Sequence, residues 1–246
     1  MKISKVIAIT MCGILVSGVA FAQKKSGSKK SQEKSVEESY LSNIEDLIIT
    51  ELASSPEYDN KQVALQYLEE AVNDGRTSPD VVAALESLAG EGVTTQSRTN
   101  GRITNNYPDI RAKACDLLGQ VSSEEAKNTL MTIAQDDKEP MVVSAAVRSL
   151  GNIGMNDDNE VINMISFIER KYSALNPTSS LALEILVAYE KLAPSIDDPA
   201  DKRVMLESIS NIAGNYKFVT PVRTKARELL KSLQSGSSSS NAEAEK

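Results

Sequence analysis

The 246-residue sequence contains no histidine and no tryptophan, and it has only two cysteines. Without histidine the chain cannot build a Ser-His-Asp triad, a Cys-His pair or an imidazole metal site. Because Cys12 lies in a segment that we expect to be removed, Cys115 would be the single cysteine of the mature chain. One cysteine forms neither an internal disulfide nor a thiolate metal cluster. We therefore predict a chain that is not an enzyme and that holds no cofactor and no metal.

The first 22 residues are typical of a secretory signal peptide. Two lysines precede an apolar run over residues 6–20, and Ala20-Phe21-Ala22 has the small-x-small pattern of a cleavage site. The run is too short to favour a membrane anchor, and Cys12 lacks the small residue that lipoprotein signals place before the cysteine. We expect cleavage after Ala22 and a periplasmic or secreted protein that does not span a membrane.

Charge is distributed unevenly along the rest of the chain. Residues 23–34 carry five lysines against Glu33 alone, and residues 235–246 are rich in serine. Segments this polar cannot bury a core, so we predict a basic disordered leader and a disordered Ser-rich tail. The body between them, residues 35–234, has 19 basic and 31 acidic residues and a net charge of −12. An acidic body argues against nucleic acid as a partner.

The body has a helical period almost throughout. In the first predicted helix, apolar residues recur at steps of three and four, at Leu41, Ile44, Leu47, Ile48 and Leu52. Prolines lie just ahead of the apolar runs, where the missing N–H costs nothing in the first turn of a helix. These prolines are Pro79, Pro108, Pro140, Pro177, Pro199 and Pro221. Strand signals are nearly missing, which indicates an all-α chain.

One helix face recurs along this body, with mostly apolar residues at offsets 0, 4, 7, 8 and 11. Offset 4 is alanine in four of the five copies, which predicts a close contact between helices. Before each copy lies a second amphipathic helix, at roughly 36–53, 79–89, 123–135, 158–173 and 199–213. We therefore predict an α-solenoid of about five antiparallel helix pairs over residues 35–234. The copies begin at Asn60, Ile110, Val142, Leu181 and Val222.

Two stretches carry a family resemblance. Residues 108–119 read Pro-Asp-Ile-Arg-Ala-Lys-Ala-Cys-Asp-Leu-Leu-Gly, and residues 141–154 repeat the alanines and the Leu-Gly ending. They resemble the HEAT-repeat family, in particular its short bacterial variety that is also named after phycobilisome lyase subunits. That family's pattern is an apolar residue and Arg early in the second helix, then Leu-Gly, with an aspartate in the preceding loop. Val143 and Ala182 depart from it because they carry no charge. Tetratricopeptide repeats, the rival solenoid, have a period of 34 rather than the 32 found here.

Residues 90–107 interrupt the repeat with a surplus of 18 residues. Asn100-Gly101 is a strong signal for a two-residue hairpin turn, with short strands at residues 94–99 and 102–104. That register pairs Arg98 with Ile103 and directs Arg98 and Arg102 to opposite sides. Together with Tyr107, these arginines make the insertion a candidate partner-binding element. The alternative is a tolerated loop without a role.

The last predicted helix is the other candidate surface. It carries Arg223, Lys225, Arg227 and Lys231 against Glu228 alone. This basic face would either bind an acidic partner or form the polar cap that the end of a solenoid needs. The acidic cluster at Asp157, Asp158 and Glu160 lies at a predicted helix start, so we expect it to complement the helix dipole rather than to bind a cation.

These observations lead to a hypothesis and two alternatives. The hypothesis is a non-enzymatic exported scaffold or adaptor that binds an unidentified protein in the bacterial cell envelope. Its surface would be the concave side formed by the second helices, together with the insertion. One alternative is a module that binds peptidoglycan or another anionic polymer through the basic leader and the last helix. The other is a lyase-like accessory subunit of an enzyme, which would need an acid and a base clustered in one groove.

Overall fold

The computed structural model describes residues 35–196 and 199–243, and this part of the chain contains ten α-helices and one two-stranded hairpin. The predicted signal peptide and basic leader lie outside the described residues. The first helices of the pairs are α1 (Val36–Ser54), α3 (Pro79–Ala89), α5 (Glu124–Asp136), α7 (Glu160–Leu175) and α9 (Pro199–Gly214). The second helices are α2 (Tyr58–Asn73), α4 (Pro108–Leu118), α6 (Pro140–Ile153), α8 (Ser179–Leu192) and α10 (Thr220–Glu243). The prediction of five helix pairs is confirmed.

The helices pack in two layers. The second helices contact one another in order from α2 to α10, and the first helices do the same from α1 to α9. Each first helix also packs against the second helix of its own pair, so a continuous hydrophobic core lies between the two layers of helices. Because each pair contacts mainly its neighbours, the described chain has the solenoid arrangement that the periodicity predicted, and it is HEAT-like, as the resemblance implied.

Local sequence signals set where the helices begin and end. Proline occupies the first position of α3, α4 and α6, and the hydroxyl of Ser78 accepts a hydrogen bond from the backbone N–H of Val81 (3.3 Å) at the start of α3. Such capping satisfies donors that a helix start otherwise leaves unpaired. At the other end of α6, Gly154 adopts the left-handed conformation (φ 72°) that terminates helices.

The repeating face is buried as its spacing predicted. The alanine at offset 4 has no exposed surface in any of its four copies, Ala64, Ala114, Ala146 and Ala226. The Leu-Gly endings have a steric reason. A Cβ on Gly119 would lie 2.8 Å from the Cα of Ser149, and one on Gly151 would lie 2.7 Å from the Cα of Ala188. The glycines therefore allow α4, α6 and α8 to approach more closely than any side chain would permit.

Two features of the helices differ from the sequence pattern. Helix α10 extends to Glu243, beyond Ser235, where we predicted the Ser-rich tail to begin, and the disorder of that tail stays a prediction. Helix extension adds one hydrogen bond for each residue that it orders, so a helix already formed over a packed segment can continue into a polar one. In the first pair, the apolar period of α1 does not face the core as a whole. Ile49 and Ala53 are buried there, while Leu41, Ile44, Leu47 and Ile48 are exposed.

Candidate protein-binding surface

The hairpin in residues 90–107 forms in the predicted register. Its strands, β1 (Arg98–Thr99) and β2 (Arg102–Ile103), pair antiparallel, with Arg98 opposite Ile103 and Thr99 opposite Arg102. The turn residues Asn100 (φ 52°) and Gly101 (φ 79°) both have the positive φ that a tight hairpin turn requires. The strands are shorter than predicted, and the two arginines lie on opposite faces of the ribbon.

A buried polar network holds the base of this hairpin. The carboxylate of Glu91 accepts hydrogen bonds from the Nζ of Lys61 (3.0 Å) and from the Nδ2 of Asn105 (2.8 Å). Lys61 also donates to the carbonyl of Ala53 (2.9 Å), so the network joins α1, α2 and the insertion. Since all three polar side chains are buried, each relies on the others for its hydrogen bonds.

Arg111 of α4 holds the same segment from the other side. Its Nη1 donates to the carbonyl of Glu91 (3.2 Å) and to the Oδ1 of Asn106 (2.9 Å). Its Nε donates to the Oδ2 of Asp137 (2.7 Å) in the loop before α6, and both side chains are only 1% exposed. The Arg of one pair thus binds the loop aspartate of the next pair. The base of the insertion is therefore a built part of the solenoid, while its tip projects from it.

The three candidate residues of the insertion have different surroundings. Arg98 and Arg102 are exposed, and the guanidinium of Arg98 donates to the Oε1 of Gln96 (2.7 Å). Tyr107 is half-buried, and its ring packs on Tyr58 with 5.1 Å between the centroids. Tyr107 therefore has a packing role at the start of α4, and the exposed positive charge lies at the hairpin tip.

The candidate cations of the last helix are engaged within the chain. The Nζ of Lys225 lies 2.7 Å from a carboxylate oxygen of Glu190 on α8. The guanidinium of Arg223 lies 5.3 Å from the ring centroid of Tyr216, and Arg227 donates to the carbonyl of Ala213 (3.3 Å) at the end of α9. These contacts favour the end-cap alternative. They also place this group in the fifth helix pair, whereas the hairpin follows the first helix of the second pair.

Cross-helix ion pairs line the second helices, and the sequence analysis missed them. Lys113 on α4 contacts Glu69 on α2 at 2.5 Å. Arg148 on α6 contacts Asp116 on α4 at 2.7 Å and Glu184 on α8 at 2.8 Å. The partners are 32 to 44 residues apart and lie on second helices of neighbouring pairs, so the alignment of the repeated copies was the available signal. This face presents both signs of charge and is largely satisfied by its own pairs.

The acidic cluster ahead of α7 surrounds a lysine. The Nζ of Lys127 lies 2.7 Å from Glu124 and 3.4 Å from Asp157, and it also contacts Glu160. Burial opposes the charge of Lys127, but hydrogen bonds to Glu124 and Glu160 outweigh it and raise the pKa of the ammonium. An ammonium therefore occupies the place that a cation would take among these three carboxylates. The Glu160 carboxylate also lies in the first turn of α7, as the dipole interpretation expects.

Cys115 is fully buried in α4, and burial raises the pKa of its thiol far above the usual range. A thiol in this state is not a nucleophile at neutral pH.

The outer face of α1 carries several exposed apolar side chains. Val36 is 90% exposed, Leu47 is 68% exposed and Leu41 is 55% exposed. The sequence analysis treated the apolar residues of this helix as one periodic set. The available signal was that α1 carries apolar residues on two sides. Leu41 and Leu47 lie on one side of the helix, and Ile49 and Ala53 lie on the opposite side.

The comparisons with known proteins agree with this architecture over part of the chain. Residues 97–165, from the hairpin to the middle of α7, match the family model described as HEAT repeats. This segment includes residues 110–154, where the sequence resemblance is strongest. No curated protein and no solved structure matches the chain. None of the described helices is both long and apolar enough to cross a membrane.

Proposed function

We propose that this protein is a non-enzymatic exported scaffold that binds another protein in the bacterial cell envelope. Its binding surface would be the HEAT-like solenoid together with the hairpin that projects from it. HEAT repeats are commonly protein-interaction scaffolds, because stacked pairs offer extended surfaces. Export rests on the signal-peptide features of residues 1–22, which are independent of the fold.

The observation that carries the proposal is the anchored hairpin. An insertion without a role has no need of a buried carboxylate, a buried lysine and a buried arginine at its base. Here Glu91, Lys61 and Arg111 all hydrogen-bond within that base. Ordering the base in the free protein removes an entropic cost that a flexible loop would otherwise incur on binding. The exposed arginines at the tip then offer positive charge on a body of opposite sign, which suits an acidic patch on a partner.

The experiment that tests this proposal is affinity capture from periplasmic extract, followed by mass spectrometry. The bait is the processed chain, compared with R98E/R102E at the hairpin tip. R203E/K217E is the matched control, because it makes the same charge change at exposed positions of the fifth pair. We expect a protein that the wild type and the control capture and that the tip variant loses. Equal capture by all three baits would contradict the hairpin's role, and no specific capture by the wild type would contradict the scaffold proposal itself.

A further inference from the structure

Among the described residues, the N-terminal end of the solenoid presents apolar side chains where such a stack requires a polar cap. The terminal surface at this end is the outer face of α1, where apolar side chains are exposed to solvent. We call this surface the α1 stripe, and it consists of Val36, Tyr40, Leu41, Ile44, Leu47 and Ile48. Terminal repeats of soluble solenoids present polar outer faces, and contiguous exposed apolar patches of this kind mark interaction sites.

The orientation of α1 that exposes the stripe is fixed by polar contacts on its inner side. Asp46 is buried, and its carboxylate accepts hydrogen bonds from Arg76 (2.5 Å) and from the hydroxyl of Ser78 (2.7 Å). Ile49 and Ala53 enter the core on the same side. Rotating α1 to bury the stripe would remove Asp46 from both partners and would leave a polar group without them. The stripe is therefore outward because the rest of the helix is anchored inward.

The stripe is large enough for a specific partner. The exposed fractions of its six side chains correspond to roughly 700 Å² of accessible surface, against the ~800 Å² that each partner contributes to a standard protein interface. Most of this area belongs to apolar side-chain atoms, so covering it would supply hydrophobic stabilisation.

The charge around the stripe is strongly one-sided. Residues 35–89 contain 12 acidic and 2 basic residues, a net charge of −10. The two basic residues are Lys61, which is buried, and Arg76, which pairs with Glu45 and Asp46. Glu37 and Glu51 are exposed and lie seven residues before and after Ile44. Since seven residues make two turns, the two carboxylates lie in line with the stripe at its two ends.

This charge pattern decides against a second copy as the occupant. If two α1 helices paired antiparallel about Ile44, Glu37 of one copy would face Glu51 of the other at both ends. A parallel pair would place identical carboxylates together. Either arrangement opposes like charges, which disfavours the interface. An anionic lipid surface is disfavoured for the same reason.

The chain's own N-terminal segments do not fit the stripe either. The basic leader, residues 23–34, has five lysines but no apolar side chain that could cover the stripe. The apolar run at residues 6–20 has no charge to pair with the carboxylates, and it belongs to the predicted signal peptide.

We propose that the α1 stripe binds an amphipathic helix of a partner protein that carries basic residues at the two ends of its apolar face. Lysine or arginine side chains spaced about 14 residues apart, or ~21 Å along a helix, would reach both Glu37 and Glu51. This inference rests on the proposed scaffold function and names one class of partner for it. It is distinct from the hairpin, because neither the stripe nor its flanking carboxylates include residues 90–107.

The test uses a designed amphipathic peptide of about 18 residues, built from leucine and lysine with one tryptophan. Because the protein has no tryptophan, the fluorescence of the peptide reports binding without background. Comparison peptides have glutamate in place of lysine, or the same composition in scrambled order. The protein is the full chain, with its N-terminus determined by mass spectrometry. Variants L41E/L47E and E37K/E51K change the stripe and its ends, and L175E/V219E changes exposed apolar residues elsewhere.

We expect the lysine peptide to bind the wild type and L175E/V219E equally. L41E/L47E should weaken that binding at least about tenfold, which corresponds to ~1.4 kcal/mol. E37K/E51K should lose the lysine peptide and gain the glutamate peptide. Because all the changed side chains are exposed, we expect each variant to fold, and far-UV circular dichroism checks this.

Three outcomes would overturn the proposal. These are equal binding by wild type and L41E/L47E, no exchange of peptide preference in E37K/E51K, or self-association through the stripe in sedimentation equilibrium. If the stripe fails while capture still depends on the hairpin tip, only this inference is wrong. If both fail, the scaffold function is wrong as well.

Discussion

Replacing Arg111 by methionine should strongly destabilise the protein. Arg111 is 1% exposed and binds the carboxylate of Asp137, the carbonyl of Glu91 and the side chain of Asn106. Methionine keeps much of the apolar stem and removes the guanidinium. The carboxylate of Asp137 then remains buried without its cation. Breaking a buried pair in this way costs about 3–5 kcal/mol.

Urea unfolding followed by far-UV circular dichroism measures this cost. For an m-value of about 2 kcal/mol/M, the midpoint should fall by roughly 1.5–2.5 M urea. Because Arg111 joins the second helix pair to the loop of the third, the variant should also unfold less cooperatively at this junction. R148M is the matched control, since Arg148 forms two ion pairs but is 37% exposed. Exposed pairs contribute at most about 1 kcal/mol.

The double variant R111M/D137L separates an unpaired charge from lost packing. If the cost of R111M arises from the buried carboxylate, removing that carboxylate should restore at least half of the lost stability. A loss below about 1 kcal/mol in R111M, or a double variant as unstable as the two single variants combined, would refute this account of the junction.

Three further experiments test other parts of the packing. Burial raises the pKa of Glu169 in the folded state, and one of its carboxylate oxygens has no hydrogen-bond partner. The free-energy cost of its charge is therefore absent below the pKa of Glu169 in the unfolded chain and grows as pH rises through its folded pKa. In urea titrations, E169Q should stabilise the protein by on the order of 1 kcal/mol at pH 7.5 and by less at pH 4. G151A should cost about 1–3 kcal/mol because its Cβ would lie 2.7 Å from the Cα of Ala188, whereas G214A, with open space around it, should not destabilise; equal melting temperatures for the two variants would contradict the steric reason. Cys115 should react with a thiol reagent only at the rate of local unfolding, and rapid labelling of the folded chain would show that its burial is wrong.

The solenoid could be predicted because its residues repeat. The copies at Ile110 and Val142 place alanine, leucine and glycine at the same offsets, and these positions are buried or closely approached in the structure. The hairpin could be predicted because Asn-Gly adopts one turn conformation far more readily than other dipeptides do. Both signals are local in sequence, so they can be recognised without knowledge of which residues contact one another in the fold.

The candidate surface was predicted less well, because contacts between distant residues decide it. Lys225 and Arg227 read as a free basic face along the chain, but Glu190 and the carbonyl of Ala213 engage them in the stack. Tyr107 reads as a recognition residue, but it packs on Tyr58. The sequence spacing cannot show these partners, since they lie in other helices.

The amino-acid sequence by itself determined the fold class of this protein, a repeat of helix pairs. Its missing histidines, its helical period and its recurring helix face are properties of composition and spacing, and they exclude histidine-dependent catalytic sites and build helix pairs. Only the tertiary structure decided which faces those pairs leave to solvent. Helix α1 has apolar residues on two sides, and Asp46, held by Arg76 and Ser78, selects the side that enters the core. The physical reason is that periodicity fixes a residue's angle around its own helix axis, while long-range packing and hydrogen bonds set which angle points inward.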